Sequence, residues 1–259
     1  TKDTPNFLIT APSINGPWSD PVLINSSGFD PSLFHDDDGK KYWLNMVWDH
    51  RPNKHPFYGI ALQEYDPLAQ SLTGASHIIF KGSPLGLTEG PHIYKRNGYY
   101  YLLTAEGGTE YEHAVTLARS RDLLGPYEVH PQNPILTSSG NLELVLQKAG
   151  HASLVETKEG EWYMPHLCGR PLPGSKNCNL GRETSIQRVE WRADDWLYLA
   201  GQGNNPLEEV PSPNLEVHTW PSLSERIPFD SPHYAIPRGP TNSVINQPQK
   251  LTLLGCESL

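Results

Sequence analysis

Positive charge is scarce in this chain of 259 residues: 20 Lys and Arg stand against 29 Asp and Glu, a net charge of −9. No basic stripe or cluster is present, which disfavours a protein that tracks a nucleic-acid backbone. Long apolar runs are missing too, and none approaches the ~20 residues that a helix needs to cross a bilayer. Sustained helical periodicity is absent. Cysteine is rare: Cys168, Cys178 and Cys256 form neither a Cys-x-x-Cys pair nor a regular framework. They read as free thiols of an intracellular protein, with a Cys168–Cys178 disulfide as the alternative. The opening Thr1-Lys-Asp-Thr-Pro-Asn6 has no signal-peptide core, which points to the cytoplasm. It also lacks an initiator Met, so further sequence is expected upstream.

Chain-reversing residues are plentiful by contrast, with 22 Gly and 25 Pro, and the chain carries 7 Trp, 12 Tyr and 6 Phe from which to build a core. Many short strands in one large β-protein fit that balance.

Three segments repeat one pattern. They are Asp30-Pro-Ser-Leu-Phe-His-Asp-Asp-Asp-Gly39, Glu89-Gly-Pro-His-Ile-Tyr-Lys-Arg-Asn-Gly98 and His151-Ala-Ser-Leu-Val-Glu-Thr-Lys-Glu-Gly160. Each opens on a polar side chain, runs into a short apolar strand, turns at a Gly nine positions on, and returns through an aromatic-rich strand. Asp-Gly and Asn-Gly tolerate the positive φ of tight hairpins. The repeats lie 59 residues apart (30 to 89) and 62 apart (89 to 151), which is the size of a four-stranded propeller blade. Further strands are expected over 58–64, 77–80, 114–119, 185–191 and 196–199. Ser13-Ile-Asn-Gly-Pro-Trp18 and Asp122-Leu-Leu-Gly-Pro-Tyr127 read as one outer-blade turn used twice. A solenoid would need a shorter unit, and a sandwich would not put an acid or a His at the head of each one.

In a propeller the innermost strand of every blade runs along the axis, so equivalent positions on successive blades face one funnel. Asp30, Glu89 and His151 are therefore expected to converge. Two carboxyls and an imidazole in a concave site suit glycoside cleavage, which needs a protonated acid at the leaving oxygen and a second carboxylate. Asp30 beside Glu89 would help keep the acid protonated. Taken singly, each residue has an ordinary reading: Asp30 as a turn cap, His151 as a core histidine, the run Asp36-Asp-Asp38 as a hairpin tip. Trp43, Trp48 and Phe57 either stack on sugar or pack within the blade. Arg51 either reaches the pocket or pairs with Asp49. Glu106 is either a support for the site or a turn cap.

Five stretches resemble glycoside hydrolase family 43, and within it the two-domain β-xylosidases that often also act on α-arabinofuranosides. They are Ser27-Gly-Phe-Asp-Pro-Ser-Leu-Phe-His-Asp-Asp-Asp-Gly39, Leu87-Thr-Glu-Gly-Pro-His-Ile-Tyr94, Ala105-Glu-Gly-Gly-Thr109, Gln147-Lys-Ala-Gly-His151 and Leu180-Gly-Arg-Glu-Thr-Ser-Ile-Gln187. The resemblance implies an all-β, five-bladed propeller whose first blade is largely missing from this chain. It implies a catalytic domain over 1–207, then over 208–259 a linker and the first strand of a C-terminal β-sandwich. It implies an inverting exo-glycosidase that releases xylose or arabinose from the non-reducing end. Glu89 matches the general acid and Asp30 the carboxylate that tunes it. His151 and Arg182 match residues at the sugar, and Arg51 and Phe57 join them as candidates. No metal ligand set is assigned and no cofactor is required, although the likeness leaves room for calcium near the axis. The family's base, an Asp of its first blade, has no counterpart here, because Asp3 and Asp20 stand in the wrong context. Two partnership expectations follow, a homo-oligomer or a complementing chain that carries the missing blade. The competing reading is a non-catalytic carbohydrate-binding propeller that lacks the base.

Overall fold

The structure, a computed structural model, describes residues 3–201 and 203–219, with the backbone of two later strands, Val244–Gln247 and Lys250–Leu253. Strands account for the regular structure, and no helix among the described residues is long and apolar enough to cross a membrane. Two compact units divide the chain, Thr1–Asn214 and Leu215–Leu259.

The first unit is a run of antiparallel meanders. A two-stranded piece comes first, β1 (Asn6–Leu8) and β2 (Val22–Asn25). The first full sheet follows in chain order: β3 (Phe29–His35), β4 (Lys41–Trp48), β5 (Phe57–Asp66) and β6 (Ser71–Phe80). The second contains β7 (Glu89–Arg96), β8 (Tyr99–Glu106) and β9 (Ala114–Ser120), with β10 (Glu128–Val129) and β11 (Leu136–Thr137) both paired to β9. The third runs β12 (Gln147–Ala152), β14 (Trp162–Gly169), β15 (Glu183–Trp191), β16 (Leu197–Leu199), with β13 (Val155–Glu156) added beside β14. These sheets are propeller blades, and β3, β7 and β12 are their innermost strands. In the second unit β17 (Val244–Gln247) pairs antiparallel with β18 (Lys250–Leu253). The rest of the final stretch expected to begin a sandwich, Cys256 included, lies outside the described residues, as do residues 220–227 of the expected linker.

The core lies between blades, and β8 shows how the sequence arranges it. Successive side chains of a strand point to opposite faces. Leu102 packs into a layer with Phe34, Leu44, Met46, Ile60 and Leu62 of the first blade. Tyr101 and Leu103 face the other way, into a layer with Met164, Val189 and Leu197 of the third. All three are fully buried. This is why Tyr-Tyr-Tyr-Leu-Leu-Thr-Ala reads as a continuous apolar run instead of an alternating one. Each fully buried Leu contributes about 1.5–3 kcal/mol.

Local turn chemistry behaves as the repeat predicts. Arg96 pairs with Tyr99 across a two-residue hairpin in which Asn97 and Gly98 both have positive φ, 48° and 73°. Gly39 and Gly160 close the matching turns by donating to the carbonyls of Asp36 and Thr157. The outer-blade echo is real: Gly16-Pro17 and Gly125-Pro126 are both cis, with glycine φ of 82° and 92°.

Candidate active site

Each innermost strand is irregular at the point where its polar residue stands. In β3 the register jumps from Phe29↔Met46 to Ser32↔Leu44, so Asp30 and Pro31 face a single residue. In β7 it jumps from Glu89↔Ala105 to His92↔Leu103, and Gly90 and Pro91 are the extra pair. In β12 His151 is the inserted residue, between Gly150↔Leu167 and Ala152↔His166. A bulge re-aims a side chain that a regular pleat would send into a neighbouring layer. The ladder also corrects the sequence repeat by one position. Gly90, not Glu89, occupies the ladder site of Asp30, and Glu89 stands where Phe29 does.

That offset has a physical reason. Asp30, Gly90 and His151 all have left-handed backbones, with φ of 53°, 57° and 49°. A Cβ at Gly90 would meet the Nε2 of His151 at 2.7 Å, so the bulge of β7 must carry glycine while its acid sits one residue earlier. The Gly90 N–H is then free to donate to the Asp30 carboxylate. Ser32 donates to the Pro91 carbonyl at 2.6 Å and fixes the two bulges to each other.

Asp30, Glu89, His151 and Arg182 come together as one electrostatic group. Glu89 is only 7% exposed. Burial, then the charge of Asp30, pushes its carboxyl up to about 7, against a smaller opposing effect from Arg182. Burial raises Asp30 as well, but His151, the Gly90 N–H and Arg182 all favour its ionised form. Burial is the largest cause at both carboxyls, and at Glu89 the neighbouring charge of Asp30 adds to it. Arg182 is at the end of the loop between β14 and β15.

Neither of the other two candidates is tied to that group. Arg51 is bidentate to Asp49, with Nε–Oδ1 2.8 Å and Nη2–Oδ2 2.6 Å, and its guanidinium lies over Tyr58. Of its two sequence readings, the local pair is the one formed. Phe57 is half-buried in an aromatic cluster, edge-on to Trp48 at 4.7 Å and near Phe29 at 6.4 Å. Trp43 is buried and donates to Asn45. Asp3 accepts from the Gly28 N–H at 2.7 Å and pairs with His50 at 2.7 Å, which ties the N-terminal segment to the first blade. Asp36 spans blades, accepting from Lys95 and Tyr100, so the Asp36-Asp-Asp38 run is more than a hairpin tip.

His113 is a site residue that the repeat did not reveal. It immediately precedes β9, away from any repeat start, and is 2% exposed. Its Nδ1 lies 3.0 Å from the Lys148 carbonyl. A carbonyl only accepts, so Nδ1 carries the hydrogen and Nε2 keeps its lone pair. Burial lowers its pKa to about 4, which leaves the imidazole neutral near pH 7. Ligand atoms of Glu89, His113 and His151 all lie within 4.8 Å of one another. Two imidazoles and one carboxylate do not fit calcium, which takes roughly six to eight oxygen ligands. Cys168 and Cys178 are free thiols, the first buried.

Comparison with known proteins gives the family. The chain matches the family model described as glycosyl hydrolases family 43 over residues 1–197. It is 52% identical to a protein of Humicola insolens named xylosidase/arabinosidase 43B, which covers all of this chain and 49% of that protein. It is 47% identical to the beta-xylosidase of Bacillus subtilis strain 168, again over the whole chain and 51% of the relative. The solved xylan beta-1,4-xylosidase of Bacillus halodurans C-125 superposes with a TM-score of 0.89 at 56% identity, covering 99% of this chain and 51% of that one. The chain thus spans about half the length of the curated relatives it matches. The fold they share is the five-bladed β-propeller, to which the described residues contribute three full blades and a two-stranded piece. On these matches the chain belongs to glycosyl hydrolase family 43.

Proposed function

We propose that this chain carries the acid half of an inverting exo-glycosidase that releases xylose or arabinose from the non-reducing end of short oligosaccharides. The relatives named xylosidase and arabinosidase support the substrate class. One observation carries the chemistry: a buried Glu89 whose carboxyl is pushed up to about 7, beside an Asp30 that faces His151, the Gly90 N–H and Arg182.

The roles follow. Glu89, still substantially protonated up to neutral pH, gives its proton to the glycosidic oxygen as the bond to the sugar carbon breaks. Asp30 keeps the proton on Glu89 until substrate arrives. His151 and Arg182 hold the sugar hydroxyls, and His113 stays neutral beside them. Inversion also needs a carboxylate that activates water on the opposite face of the sugar.

Leaving-group dependence tests the reading in the complete enzyme. Glu89→Gln should lower kcat on alkyl or sugar leaving groups by roughly 10²–10⁴-fold, the usual worth of general-acid help. Activated nitrophenyl glycosides need little protonation and should suffer far less. Equal losses on both would remove the acid assignment.

A further inference from the structure

The second carboxylate of importance in this region is Glu106, the last residue of β8. It is completely buried, at 0% exposure. Its partners all come from the segment that links the first blade to the second and delivers Glu89. Oε1 accepts from the Ser83 N–H at 2.8 Å and from the Thr88 hydroxyl at 2.7 Å, and Oε2 accepts from the Ser83 hydroxyl. The next residue extends the clamp, because the Gly107 N–H donates to the Gly86 carbonyl at 2.9 Å.

The segment it holds is conformationally unusual. Leu87, two residues before the acid, has φ of 55°, a left-handed conformation that a branched aliphatic residue rarely keeps unless its surroundings impose it. Gly82 leaves room for the clamp: a Cβ there would lie 2.0 Å from the Thr88 hydroxyl and 3.0 Å from Glu106 Oε1. Thr88, the residue bonded to Glu89, is itself 2% exposed. A dry carboxylate gripping both ends of a strained segment is well suited to holding the following residue in one place.

We infer that Glu106 is a positioning residue for the general acid: through Ser83 and Thr88 it fixes the segment that aims Glu89 at the glycosidic oxygen. The inference rests on the acid role proposed for Glu89, and the test separates the two. In the complete enzyme, kcat would be measured for glycosides with graded leaving groups in Glu89→Gln, Glu106→Ala, Glu106→Gln and Thr88→Val, alongside Tm. A misplaced acid costs on the order of 10²-fold, so Glu106→Ala should lose about that much on the poorest leaving groups and under about 3-fold on activated ones. Glu106→Gln keeps one oxygen for Ser83 N–H and Thr88, and the Ser83 hydroxyl can turn to accept from its amide. It should recover most of the loss, within about 3-fold of wild type, with the alkaline midpoint of its pH profile unmoved. Thr88→Val, which removes a single donor, should fall between and serves if Glu106→Ala does not fold. The inference is overturned if folded Glu106 and Thr88 variants lose activity equally on all leaving groups, or lose none, while Glu89→Gln shows the selective loss. If Glu89→Gln itself shows no selectivity, the acid assignment fails and the positioning role falls with it.

Discussion

The His151 imidazole lies directly over the backbone of Gly90, where a Cβ would stand 2.7 Å from its Nε2. Two neighbouring blades are therefore in van der Waals contact at the site with no side chain between them. The contact places the imidazole, the Gly90 N–H and the Asp30 carboxylate in one small volume next to Glu89.

Gly90→Ala tests that contact. The new methyl must push the imidazole away, and alanine must hold a φ of 57°. We expect a loss of more than about 1 kcal/mol in stability, and on the order of 10²-fold in kcat/KM as the site loosens. Denaturant unfolding and steady-state kinetics report the two effects separately.

Asp30→Asn removes the negative charge while keeping the side chain's shape. Burial, the larger cause of the raised Glu89 pKa, remains. The pKa of Glu89 should fall from about 7 but stay above its ordinary 4.5. The active form is the protonated acid, so activity is present below that pKa and is lost as pH rises through it. The alkaline limb of kcat/KM should accordingly move to lower pH in the variant, read from a pH–rate profile on a substrate with a poor leaving group.

Stability should carry the same signature. A carboxyl whose pKa rises on folding from 4.5 to about 7 favours the folded state fully below the lower value, and that contribution disappears as pH climbs through the upper one. Glu89→Gln cannot ionise. Its Tm relative to wild type should be similar near pH 4 and should rise progressively toward about pH 8. A difference independent of pH would show that Glu89 ionises normally in the folded chain.

The hairpins were legible because turn chemistry is local: Asn97-Gly98 needs only its own two residues to specify a reversal. The approximate blade length and the convergence of Asp30, Glu89 and His151 followed from that spacing. What the repeat obscured was the one-residue offset at β7. Counting back from Gly98 aligns Glu89 with Asp30, while the bulge aligns Gly90 with it, and the reason is an imidazole 61 positions later in the chain. His113 was hidden in the same way, while for Glu106 the sequence left a supporting role and a turn cap equally open. The burial of each depends on packing between and around blades, and nothing adjacent to either in sequence marks it as dry. For Arg51 the local reading was legible, since the carboxylate two residues off is the partner it takes.

The central claim is that Glu89 stays substantially protonated up to neutral pH. The direct measurement is its titration in the complete enzyme, by carbon NMR of labelled glutamate carboxyls or by infrared difference spectra, assigned by subtraction of Glu89→Gln. An apparent pKa of about 7 is predicted. A resonance or band that titrates near the ordinary 4.5 would contradict the account.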